Sequence, residues 1–174
     1  MTGQSASRLS DRRPRDLVLS LAVLLVPILL VVLGFQYLGS DDKAKVVNPD
    51  AAFSQTREAG LDTVRPGGLP AGWQSVSAVA QEEAGVVTLR VGYITGSGGF
   101  LQLVESNRDA EPLLRRELGD GRPGGSVRIH GVSWQAYPGR DGERALVWLQ
   151  PRRTVLVLGR APMDELRVMA GSLR

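Results

Sequence analysis

Cysteine is absent from this 174-residue chain, and histidine occurs once, as His130. Without thiols there is no disulfide, no zinc site built on thiolates, no cysteine nucleophile and no lipid attached through cysteine, so a packed core must hold the fold. A single histidine excludes a two-histidine metal site and a histidine-cluster switch. Aromatic residues make up only 5% of the chain, and no basic run is interleaved with them, so no nucleic-acid partner is expected. Charge of one sign is also missing. Of the 21 basic and 18 acidic residues, four and two precede Leu17; the 17 and 16 that remain are nearly balanced despite the formal charge of +3.

What is present first is a long charge-free run. No charged residue lies between Asp16 and Asp41 in "RDLVLSLAVLLVPILLVVLGFQYLGSDD". As an α-helix, Leu17 to Leu38 would reach roughly 33 Å, against a bilayer hydrocarbon core of about 30 Å. Apolar residues fall at all helical angles, which speaks against a core helix with a polar stripe. A cleaved export signal has an apolar stretch of only about 7 to 15 residues and a small-residue cleavage site. This run is longer, and "GFQYLGSDD" has no Ala-x-Ala pattern, although cleavage stands as the alternative. Arg8, Arg12, Arg13 and Arg15 precede the run, and basic flanks stay in the cytoplasm. The organisation expected is a cytoplasmic tail (1–16), a transmembrane helix (17–38), a linker (39–48) and one extracytoplasmic domain (49–174) at the cell membrane, with the lipid bilayer as partner through Leu17 to Leu38.

The domain begins with a helix signal in "NPDAAFSQTREAG": Asn48 as cap, Pro49 in the first helical position, Asp50 near the positive helix end and Gly60 as stop. "RPGGLPAGW" then turns the chain, and Trp73 is expected in the core. In "GVVTLRVGYI", Val87, Leu89, Val91 and Tyr93 share one face by the period of two. "TGSGG" makes a hairpin turn to "FLQLVES". "DAEPLLRRELG" reads as a helix capped by Asp109, with Ala110, Leu113, Leu114 and Leu118 on one face and Gly119 at its end. "SVRIHGVSWQAY", "ERALVWLQ" and "TVLVLG" read as strands. A last helix carries Met163, Leu166, Met169, Ala170 and Leu173 inward.

Two stretches repeat one order of strand, tight turn, strand and helix: "VGYITGSGGFLQLVESNRDAEPLLRREL" and "LVWLQPRRTVLVLGRAPMDELRVMAGSL". Tyr93 matches Trp148, and Leu103 matches Val157. "ALVWL" and "TVLVL" are apolar on both faces, as central strands are. The expected fold class is α+β: a transmembrane helix, then one domain with a mostly antiparallel sheet in two similar β-hairpin–helix halves, its helices sealing one face.

With "RDLVLSLAVLLVPILLVVL", "GLPAGW", "LRVGYITGSGGFLQLVES" and "ALVW" in this order, the chain resembles the actinobacterial domain-of-unknown-function family numbered 4245, across nearly its whole length. The resemblance implies a single-pass membrane protein with one extracytoplasmic domain. It brings no catalytic residue, cofactor or substrate. The family commonly has Pro after the Thr of the first hairpin, where this chain has Gly96, a difference that bears on turn geometry alone.

The residues that carry chemistry do not converge. His130 alternates with Val127 and Ile129 in "SVRIHGV" and is expected as a rim histidine on a strand; Ser97, Ser126, Ser133 and Asp141 match triad partners only by type. "GSGG" lacks the frame of a nucleophile turn, and "GDGRPGG" lacks the Lys-Ser/Thr ending and helix of a phosphate loop. Glu82-Glu83, Asp164-Glu165, Arg115-Arg116 and Arg152-Arg153 read as solvated charges. No catalytic, cofactor-binding or metal site is therefore expected. The function expected is a non-catalytic binding or scaffold module of the cell envelope, with an envelope protein, lipid or wall component as partner. The alternatives are an accessory subunit of a membrane complex and an envelope hydrolase using His130 or scattered carboxylates.

Overall fold

Seven strands hydrogen-bond into one antiparallel sheet: β1 (Gln74–Glu83), β2 (Val86–Ile94), β3 (Phe100–Ser106), β4 (Gly125–Ile129), β5 (Val132–Pro138), β6 (Arg144–Gln150) and β7 (Arg153–Gly159). Their order is β1-β2-β3-β7-β6-β5-β4. The architecture is therefore α+β. The computed structural model describes residues 24–28 and 46–174. The chain divides into two units, Met1–Lys43 and Ala44–Arg174, and the sheet belongs to the second. Residues 24–28 are helical, with Leu24, Leu25, Val26 and Ile28 exposed. The rest of the span expected over Leu17 to Leu38, the tail before it and most of the linker lie outside the described residues. Among the described residues, no helix is long and apolar enough to cross a membrane.

Alternation along the strands decides which side chains share a face. Val87, Leu89, Val91 and Tyr93 are all buried, as their period of two predicts. β7 lies at the middle of the sheet, and Thr154 to Gly159 are buried throughout, which is why "TVLVL" carries no polar face. The strand register bears out the internal duplication. Tyr93 pairs with Leu101 and Trp148 with Val155, while Leu103 pairs directly with its own equivalent, Val157. An approximate two-fold axis thus runs through the Leu103–Val157 pair and carries β2 and β3 onto β6 and β7.

The helices depart from that symmetry and correct one expectation: they cover both faces of the sheet. The first face, lined by Leu89, Val91, Leu103, Leu146 and Val157, lies under α1 (Asp50–Glu58) and α3 (Met163–Ser172), which bury Phe53, Leu166 and Met169 there. Trp134 and Trp148 meet on the same side, with ring centroids 5.7 Å apart. The second face, lined by Val104, Ala145, Val147, Leu156 and Leu158, lies under α2 (Ala110–Leu118), which buries Leu113 and Leu118. Each such leucine contributes about 1.5 to 3 kcal/mol. Because β6 and β7 are apolar on both sides, one covered face would leave the other in water, so the helix following β3 takes it. That helix also bridges β3 to the far edge strand β4.

Local signals act mostly as read. The Asn48 carboxamide oxygen accepts the Asp50 N–H (2.9 Å), and Gly60, at φ +87, stops α1. Gly119 ends α2 in the same way, but Asp109 makes no side-chain cap bond. "SVRIHGVSWQAY" is a hairpin: His130 (φ 47) and Gly131 (φ 84) form the two-residue turn between β4 and β5, so His130 is a turn residue and not part of a strand. Trp73 is half-buried against the first face. After α1, residues 61–67 strap across to the end of the chain. Arg65 and Arg174 exchange backbone bonds (2.9 and 3.1 Å), and Gly67 N–H donates to the Ser172 carbonyl.

Candidate functional site

Under that strap the alternation of "FLQLVES" brings an acid inward. Leu101, Leu103 and Glu105 point to the first face, and all three have 0% exposure. Glu105 Oε2 accepts the Val64 N–H of the strap (3.1 Å) and lies 3.5 Å from Arg153 Nη1. Arg153, at the start of β7, also donates to the Asp62 carbonyl and, through Nε, to Gln150 Oε1 (2.8 Å). Glu105 Oε1 and the buried Thr63 hydroxyl have no partner among the described residues. Beyond Arg153 a cleft of about 410 Å³ opens between Gly60–Asp62, Asn107 and the β6–β7 hairpin with Gln150 and Arg152.

The electrostatics follow from burial. Loss of water pushes the Glu105 carboxyl up to about 7; the Val64 N–H and the Arg153 charge pull it back, and Asp62 raises it further. The same loss of water, with the Glu105 charge second, pushes the Tyr93 phenol up to about 12. Glu105 thus changes charge near neutrality while pinning the strap. It is sealed beneath Val64 and Arg153, so its proton is out of reach of a substrate in the cleft. The arrangement suits a proton-dependent clasp beside a polar cleft.

The residues read from sequence do not assemble into a second centre. His130 is exposed and donates from Nδ1 to the Gly171 carbonyl at the end of α3 (3.0 Å). A Cβ at Gly171 would come within 3.2 Å of its ring, so glycine there makes room for the imidazole. Ser126 and Ser133 point to the opposite face of the sheet, and Ser97 and Asp141 lie at its opposite end. Glu82 and Glu83 are exposed at the end of β1, and Asp164 pairs with Arg167 at the surface (3.1 Å). Arg115 pairs with Glu111, and Arg116 is exposed. Of Arg152-Arg153, only Arg152 is solvated; Arg153 is turned inward with a side chain 13% exposed, which corrects the reading of both as surface charges. Glu165, expected as a solvated charge, is instead half-buried, with one oxygen that has no partner among the described residues, beside the Gly99 turn. Among the described residues, no group of three or more histidines and acids is placed to hold a metal ion.

Sequence reasoning passed over Glu105 and took Arg153 for a solvated charge. The signal for the first was available, because an acid in phase with Leu101 and Leu103 is a buried acid. The signal for the second was not, since nothing local shows that a hairpin arginine turns under a strap ninety residues earlier. The chain belongs to the DUF4245 family, described as proteins of unknown function, whose sequence profile matches residues 10–173. No curated protein matches it.

Proposed function

We propose that this member of the family is a single-pass membrane protein that holds a non-catalytic binding domain on the outer side of the cell membrane, where it recognises a protein, lipid or wall component of the envelope. One observation carries the reading: the charge-free run Leu17 to Leu38, long enough to span, precedes a single well-packed domain. The arginines of the tail support the orientation, and the exposure of Leu24, Leu25, Val26 and Ile28 suits contact with lipid. The polar cleft beside Arg153 is the recognition surface this reading favours, because it pairs a concave shape with convergent polar groups on a rigid sheet.

The test is membrane fractionation with a reporter fused after Arg174. The expected product stays with the membrane after alkaline extraction and is active only outside the cytoplasm. A mature soluble polypeptide lacking its first forty or so residues, or a reporter active only inside, refutes the anchor. For the binding role, Arg152→Ala and Asn107→Ala in the cleft should lose a crosslinked partner that the unaltered chain captures in native membranes. An unaltered chain that never captures a different molecule there refutes it.

A further inference from the structure

We propose that β1 is a self-association edge, through which two copies of this chain pair antiparallel about a two-fold axis at Ala80 and join their sheets. Edge strands expose a row of unpaired backbone groups, and proteins blunt them with short length, proline, charged side chains, bulges or a covering segment. The two edges of this sheet differ. β4 has 5 residues, starts at Gly125 and follows Gly124. β1 has 10 residues, with neither proline nor lysine, and its only charges, Glu82 and Glu83, are confined to its last two positions. Its start is protected by a bulge between Ser75 and Ser77 and by Val47, whose N–H donates to the Ser75 carbonyl. Among the described residues, nothing covers 77–83 in the same way.

Charge and face then select one register. A two-fold pair keeps each face continuous only if its centre falls on a residue. Centring on Ala78 or Val79 would recruit Ser75, which Val47 already holds; centring on Gln81 would set Ser77 and Ala78 against the Ala84–Gly85 turn; centring on Glu82 would set that acid against itself, which is destabilising. With Ala80 at the centre, Glu82 faces Ala78, Glu83 faces Ser77 and Gln81 faces Val79. No acid opposes an acid, and the whole uncovered stretch is used. Ala78 and Ala80 continue the α1 side of the sheet, while Val79, 46% exposed, joins the other side, which also carries Phe100, 43% exposed. These are large apolar side chains that the monomer leaves in water.

The absence of cysteine supplies the experiment, done on the full chain in nonionic detergent. Ala80→Cys introduces a single thiol that meets its own copy across the axis, whereas Ser126→Cys on β4 serves as the control. A short thiol crosslinker should join the first and not the second. Light scattering should give the unaltered chain twice its 18.7 kDa mass, and Val79→Lys should halve that value while the chain still unfolds in one cooperative transition. A monomeric unaltered chain, equal crosslinking at both thiols, or a dimer that survives Val79→Lys each overturns the proposal. If Ala80→Cys does not fold, the two mass measurements decide alone.

Discussion

Replacing Glu105 by Gln removes a charge that is sealed in the core and keeps an oxygen to accept the Val64 N–H. The carboxyl is raised from 4.5 to about 7 in the folded domain, so the folded state holds this proton more tightly than the unfolded chain does. The stability it contributes is complete below about pH 4.5 and is lost as pH rises through about 7. That rise corresponds to about 3 kcal/mol, a large share of the ~5 to 15 kcal/mol that holds an ordinary domain together. Urea unfolding followed by the fluorescence of Trp73, Trp134 and Trp148 measures it, with both chains in the same detergent. Other titrating groups cancel in the difference between the chains. The unaltered chain should lose stability from pH 5 to pH 8 relative to the glutamine variant, with the variant the more stable of the two at pH 8. A difference that stays constant across this window would mean that Glu105 keeps one charge state throughout, and the clasp would not be proton-dependent.

Three further perturbations test the packing. Arg90 and Glu117 make a two-pronged pair (2.6 and 2.7 Å) that fastens α2 to the sheet, with side chains 21% and 9% exposed. Glu117→Ala should cost about 2 to 3 kcal/mol, and a double-mutant cycle with Arg90→Ala should return a coupling of about 1 kcal/mol or more that resists salt; additive losses would deny the pair. At Gly159 an added Cβ would lie 2.3 Å from the Phe100 carbonyl oxygen and 2.7 Å from Leu101 Cα. Gly159→Ala should therefore destabilise by on the order of 3 kcal/mol or more, and a near-neutral unfolding curve would contradict the close β3–β7 approach. His130→Asn should change stability by no more than about 0.5 kcal/mol, because Asn-Gly suits this turn and the Gly171 bond is exposed. A loss of several kcal/mol would give the histidine a structural weight that its exposure denies.

Several features were legible from local pattern. The strand faces followed from a period of two, the α1 boundaries from Asn48 and Gly60, and the matching halves from the order of apolar runs and turns. The pairing of Leu103 with Val157 bears out that last reading, since equivalent residues meet on the axis that relates the halves. Part of the candidate site was legible in the same way, because Glu105 is in phase with two leucines. Its meaning was not, since whether an inward acid meets solvent, a partner or apolar side chains depends on residues far along the chain.

By itself the sequence determined which residues share a face, where most helices and turns begin and end, though not the turn at His130, and that an uncharged run stands before one domain, because each of these depends on neighbours within a turn or a strand. Only the tertiary structure decided that α2 crosses to the face opposite α1 and α3, that the strap closes over Glu105, that Arg153 turns inward to meet it, and that the β4–β5 turn carries His130 against the end of α3. Those outcomes come from long-range competition for buried area and for partners to buried polar groups. Alternation says which side chains lie together, but what covers them depends on how the whole chain removes both faces of its sheet from water.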